Sequence, residues 1–231
     1  SKNVNYIHDV LKTNFPESRA ICDLHHYFKG RKGPLKGEPI DIQLDVSFFK
    51  EASPIPSSLS SYDASEHGGK IPDIAINILS KNTWMSDLSD KVDTCKNLEI
   101  PVYVVFSPNK VTSKIYHPPF VRAYILNDEG GYDQQELHDV TLKEGGTIDE
   151  GYVIDVSDRL PFRLGLMRLN EYHKGNKDDP LFRLLFLDPS KPEFFQSEKE
   201  QALKEKEQAE KRAEELKKKL KNYRDRFGDL S

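Results

Sequence analysis

Cysteine is scarce. Cys22 and Cys95 are the only two in 231 residues, they lie far apart, and neither sits in a C-x-x-C pair. A disulfide scaffold and a thiolate zinc site are therefore excluded as organising elements. Long apolar runs are missing too. No stretch approaches the roughly 18 apolar residues of a membrane span, so no membrane association is expected. The opening segment SKNVNYIHDVLKTNF lacks the apolar core of a secretory signal, and the expectation is a cytoplasmic protein. Nor is there an excess of positive charge. With 34 Lys and Arg against 38 Asp and Glu, the formal net charge of −4 gives no sign of nucleic-acid binding. No internal repeat is visible. The length suits one sizeable core with an appendage.

What is present changes character near residue 195. The stretch from Glu198 to Ser231 has no proline, one glycine, 9 acidic and 11 basic residues. The spacing predicts two parts, residues 1–196 as a globular α/β domain and residues 197–231 as a long charged helix. Ala202, Ala209, Leu216 and Tyr223 recur every seven residues, with Ala213, Leu220 and Phe227 between them and Lys206 as the polar member of the seam. A coiled coil, with a homodimer formed through it, is one reading. A solvated helix held by pairs such as Glu207–Lys211 and Glu214–Lys218 is the other. The charge divides as +2 on the tail and −6 on the remainder, so any nucleic-acid contact is expected from local basic patches.

In the globular part, hydrophobic periodicity predicts helices over 4–14 and 87–98. It predicts strands over 41–48, 73–79, 102–106, 121–126, 152–156 and 181–186. Between the first two strands lies ASPIPSSLSSYDASEHGGK, a Ser-, Pro- and Gly-rich loop. Three further signals are weaker. His25 and His26 are adjacent and point apart. GRKGPLKG, from Gly30 to Gly37, is a basic turn without Walker spacing. The cluster from Lys217 to Lys221 lies on the tail's helical face.

Chemistry concentrates between Pro72 and Pro108, in PDIAINILSKNTWMSDLSDKVDTCKNLEIPVYVVFSP. Strand alternation puts Ile74, Ile76 and Ile78 on a core face. Asp73, Ala75 and Asn77 fall on the opposite face, with room for something polar beside the small alanine. In the helix that follows, Asp87 is placed to cap the first turn. Leu88, Val92, Cys95 and Leu98 form its apolar arc, and Lys91 falls inside that arc at roughly 300° on a 100° wheel. A lysine there snorkels out or takes an anionic partner, of which Asp73 is nearest in sequence. Asp45 interrupts another apolar strand, IQLDVSFF, where aspartate is depleted. Two aspartates and a lysine make a divalent-metal site plausible, and they read equally well as strand ends or turn caps.

The segment from Pro72 to Pro108 resembles, without a gap, the Uma-type restriction endonucleases, a branch of the PD-(D/E)XK nuclease superfamily. The matching features are Pro72–Asp73, Ser80, the D-x-x-x-K of Asp87 and Lys91, and EIPVYVVFSP from Glu99 to Pro108. Asp45 in LDVSFF resembles that family's upstream aspartate. The later LGLMRLNEY and LFRLLFLDPSKPEFF extend the likeness toward the C-terminus. The resemblance implies a restriction-endonuclease-like α/β fold, with a central mixed sheet flanked by helices, and Mg²⁺- or Mn²⁺-dependent hydrolysis of DNA. It implies Asp45 and Asp73 as metal ligands and Lys91 as the stabiliser of phosphate charge.

One departure falls in the site. Where the family has Glu, this chain has Asn77, which keeps a carbonyl oxygen but brings no charge and cannot act as a base. Three outcomes follow. The enzyme works with a reduced ligand set, another acid (Asp63, Glu66 or Asp87) takes the place, or the chain is a silent member that binds nucleic acid or protein. A purely structural oligomerisation module remains the reading without nucleic acid.

Overall fold

A computed structural model describes residues 1–112 and 116–228. The chain divides into two compact units, Ser1–Phe195 and Gln196 onward. The first unit is built on a seven-stranded mixed sheet. Its strands are β1 (Arg19–Lys29), β2 (Pro39–Phe49), β3 (Tyr62–Asp63), β4 (Ile74–Ile78), β5 (Val102–Ser107), β6 (Phe120–Leu126) and β7 (Tyr132–Leu137). Their order is β3-β1-β2-β4-β5-β6-β7. The β1/β3 and β4/β5 pairs are parallel and the rest antiparallel. The antiparallel hairpin of β8 (Arg163–Tyr172) and β9 (Pro180–Leu187) forms a second sheet.

Each face of the large sheet has its own apolar layer. On one face, Val46, Phe48, Ile74, Ile76, Val104 and Phe106 pack against helix α1 (Lys2–Asn14) and the inner side chains of β8 and β9. On the other, Ala75, Tyr103, Val105 and Tyr124 pack with Cys95 of helix α3 (Asp90–Asn97) and with Leu98 just after it. A sheet covered on both sides explains why β4 and β5 are buried almost throughout. The sheet, its flanking helices and a long C-terminal helix make this a mixed α/β fold of the kind the sequence implies.

Two strands switch faces at one point. In β2, Leu44 belongs to the second layer and Val46 to the first; in β1, Leu24 and Cys22 divide the same way. The residues between them are Asp45 and Asp23, and Asp23 has a left-handed φ of 53°. Strict alternation cannot put residues two apart on opposite faces. The local irregularity does so, and it leaves two acids at the break.

Some expectations change. The helix predicted over 87–98 is two pieces, α2 (Trp84–Asp87) and α3, with a break at Leu88–Ser89. Asp87 therefore closes α2 and caps nothing; the residue before α3 is Ser89. The strand predicted over 152–156 is instead a one-turn 3-10 helix, Glu150–Tyr152, followed by one isolated bridge between Ile154 and Leu164. Strands β1, β3, β7 and β8 were not anticipated; β3 and a 3-10 turn, Ala64–His67, lie within the segment expected to be a loop. In the second unit, helix α4 (Glu198–Phe227) begins with a capping box. Ser197 Oγ accepts from Glu200 N–H, and Ser197 N–H donates to the Glu200 carboxylate.

Candidate active site

The antiparallel register of β2 and β4 pairs Val46 with Ile76, so Asp45 lies opposite Asn77. The two residues interlock. Asp45 N–H donates to Asn77 Oδ1 at 3.1 Å, and Ile78 N–H donates to Asp45 Oδ2 at 2.6 Å. Asn77 has a second bond, from its Nδ2 to Asp87 Oδ1 at 2.9 Å. Asp87, the last residue of α2, is buried just before the break. Its carboxylate also accepts from Thr83 Oγ1 at 2.7 Å, and its backbone carbonyl accepts from the Tyr103 hydroxyl at 2.8 Å. Lys91 Nζ reaches the same Asp87 Oδ1 at 2.9 Å.

The lysine on the apolar arc of α3 thus takes the anionic partner that its position requires. That partner is Asp87, one turn away, and not Asp73. The Asp87 side chain is 2% exposed and Lys91 22%. An ion pair so placed survives because every charge in it has hydrogen-bonding partners. Asp45, Asp87, Lys91, Thr83, Ser80 and Asp23 line one cleft of about 430 Å³. Burial pushes the Asp45 carboxyl above the usual carboxylate range. The nearby charges of Asp87 and Asp23 act in the same direction, while the Ile78 N–H and Lys91 offset part of it. Three aspartates stand against one lysine and the Ser1 ammonium, which lies 3.8 Å from Asp23, so the cleft keeps a small surplus of negative charge.

Asp73 lies elsewhere. It precedes β4 at the end opposite Asn77, four residues and about 13 Å along the strand. Its carboxylate accepts from Lys50 N–H at 2.8 Å and pairs with Lys50 Nζ at 3.4 Å. The structure therefore brings Asp45, Asn77 and Lys91 together and leaves Asp73 out. Of the acids that might stand in for the missing glutamate, Asp87 contacts Asn77. Asp63 bonds Ser65 instead, and Glu66 is exposed. Sequence reasoning missed Thr83 and Asp23. The i,i+4 spacing of Thr83 to Asp87 was a readable signal. Asp23 gave none while β1 was unrecognised.

The fit to a hard divalent cation is partial. Among the described residues, no three His, Cys, Asp or Glu side chains are grouped so as to hold a metal. The cleft offers Asp45 and Asp87, with surplus charge that a cation would neutralise. Mg²⁺ suits such a pair because it keeps several waters and takes further ligands from a substrate phosphate. The adjacent histidines offer nothing. His25 bonds Asp41, and buried His26 has both ring nitrogens engaged, by Leu24 O and Ser47 Oγ, with its pKa pushed down to about 4 by burial. A larger depression of about 580 Å³, lined by Tyr27, Arg31 and Asp63 among others, lies away from this chemistry.

No protein-family model matches the chain, and no curated protein matches it. Among solved structures it is similar to one described as "a putative nuclease belonging to DUF820 from Anabaena variabilis ATCC 29413". The identity is 18%, over 61% of this chain and 65% of that chain, with a TM-score of 0.39. A likeness of that strength assigns no role to any residue. No helix among the described residues is long and apolar enough to cross a membrane.

Proposed function

We propose that the globular unit is a nuclease-type phosphodiester hydrolase acting on DNA with Mg²⁺ or Mn²⁺, through a cleft one carboxylate short of a full ligand set. The observation that carries this reading is the convergence of Asp45, Asp87 and Lys91 on one cleft with surplus negative charge. Such a cleft repels a phosphate unless a cation is present, and with a cation it attracts one. When bound, the metal would polarise the phosphoryl group and help to activate water. Asp45 and Asp87 would hold it. Asn77 fixes both carboxylate-bearing segments, accepting from Asp45 N–H and donating to Asp87. Lys91, held by Asp87, supplies positive charge beside the place where phosphate charge grows.

A second reading, a silent nucleic-acid binder, is favoured by Asn77 itself. Its amide uses both functions within the protein and presents no charge to a cation. One experiment separates the two readings. The given sequence and Asn77→Glu are assayed side by side on DNA with Mg²⁺ and Mn²⁺, and melting temperatures are recorded with and without metal. Slow metal-dependent cleavage by the given chain supports the hydrolase. Cleavage by Asn77→Glu alone supports the silent member. If neither chain cleaves and neither gains thermal stability from metal, the hydrolase reading falls; if the given chain also shows no salt-dependent affinity for DNA, the silent binder falls with it.

A further inference from the structure

Helix α4 carries an exposed apolar stripe. Leu216, Leu220 and Tyr223 are all more than half exposed. Over its 30 residues the seam positions run Lys206, Ala209, Ala213, Leu216, Leu220 and Tyr223. Large side chains occupy the C-terminal half of the seam and alanines the N-terminal half. Charge divides the same way. From Glu198 to Glu210 the helix has five acids and three bases; from Lys211 to Arg226 it has three acids and eight bases.

We propose that α4 pairs with α4 of a second copy of this chain, antiparallel, centred between Ala213 and Leu216. Parallel pairing is disfavoured at each flanking pair in which both residues are charged. In a parallel dimer each residue before a seam position faces the one five further along in its partner. Those contacts are Glu205 with Glu210, Arg212 with Lys217, and Lys219 with Arg224, all of like sign. Parallel alignment also stacks Lys206 on Lys206 in the seam.

Reversing one helix removes most of this conflict. Leu216 then faces Ala213 of the second copy, and Leu220 faces Ala209. Each large residue meets a small one, so the axes approach closely and little void remains. Tyr223 faces Lys206, whose stem lies along the ring with its ammonium outward. Glu205 now meets Arg226 and Glu210 meets Lys217, both attractive; Arg212 with Lys219 is the remaining repulsion. Sliding by one heptad either way brings Lys217 onto Lys217 or Glu210 onto Glu210, so the register is specified as well as the direction. The acidic half of each helix lies along the basic half of the other. This arrangement stands whether or not the globular unit hydrolyses DNA.

The test uses the full chain. Sedimentation over a concentration series should show a monomer–dimer equilibrium, with Leu220→Ala weakening the dimer about tenfold or more. Direction and register are read by cross-linking. Ala209→Cys and Leu220→Cys chains, prepared separately, should form a disulfide dimer when mixed and little when oxidised alone. The native thiols compete poorly, because Cys95 is fully buried and burial pushes the Cys22 thiol up to about 12. Self-cross-linking of Leu220→Cys would establish the parallel dimer and overturn the proposal. So would a monomer at every concentration.

Discussion

The two ends of β4 are four residues apart and chemically unlike. At the Asp73 end a single carboxylate meets one half-exposed lysine, Lys50, and a backbone N–H. At the Asn77 end a buried carboxylate, an amide, a lysine and a second aspartate converge on a cleft. The same strand supports both because its register against β2 sets which residue meets the irregularity at Asp45. An acid within a motif earns no role from its motif alone. Its position along the strand decides whether it reaches the other groups.

That contrast can be broken by substitution, and the largest effect is expected at Asp87. Its carboxylate holds Asn77, Lys91 and Thr83, so Asp87→Ala leaves a half-buried ammonium and the buried Asn77 Nδ2 without that partner. We expect a stability loss of about 3–5 kcal/mol, read by urea unfolding. A loss below about 1 kcal/mol would show that the cluster is not held together there. Asp45→Asn should come next in its effect on activity, lowering cation-dependent cleavage by about two orders of magnitude or more. The same change should raise the melting temperature, because it relieves a desolvated charge.

A pH titration sharpens the same point. Burial raises the Asp45 pKa in the folded chain above its unfolded value, so between those two values the native state binds more protons. Asp45 therefore lowers stability as pH rises through the window above the ordinary carboxylate range. Unfolding free energy measured across that window should fall less steeply in Asp45→Asn than in the parent. An unchanged slope would mean that Asp45 is not the group titrating there. The smallest effect is expected at the other end of β4. Asp73→Asn loosens a partly exposed ion pair and should cost up to about 1 kcal/mol, with cleavage within about twofold of the parent.

Much of this was legible in the sequence for identifiable reasons. Strands β2, β4, β5, β6 and β9 announce themselves by dense apolar runs, and α1 by its 3.6-residue period. β7, YDQQEL, is an edge strand with four exposed polar residues in a row, which leaves no alternation to read. The helix over 87–98 was read as continuous because the apolar arc runs through Leu88. The break there depends on tertiary bonds that turn Asp87 toward Asn77 and Tyr103. Lys91 was legible as a charge on a buried face. Its partner was not, since an i,i+4 aspartate at the end of the preceding helix competes with a distant one only once that break is known. Asp45 stood out as an acid in an apolar strand, whereas its register against Asn77 required the fold.

The most direct test of the account is a divalent-cation titration of the parent chain, Asp45→Asn and Asp73→Asn, followed by the metal-induced rise in melting temperature. If the cleft at the Asn77 end is the working site, Mg²⁺ or Mn²⁺ should stabilise the parent and Asp73→Asn alike and leave Asp45→Asn unshifted. Loss of the metal response in Asp73→Asn, with Asp45→Asn still responding, would contradict it.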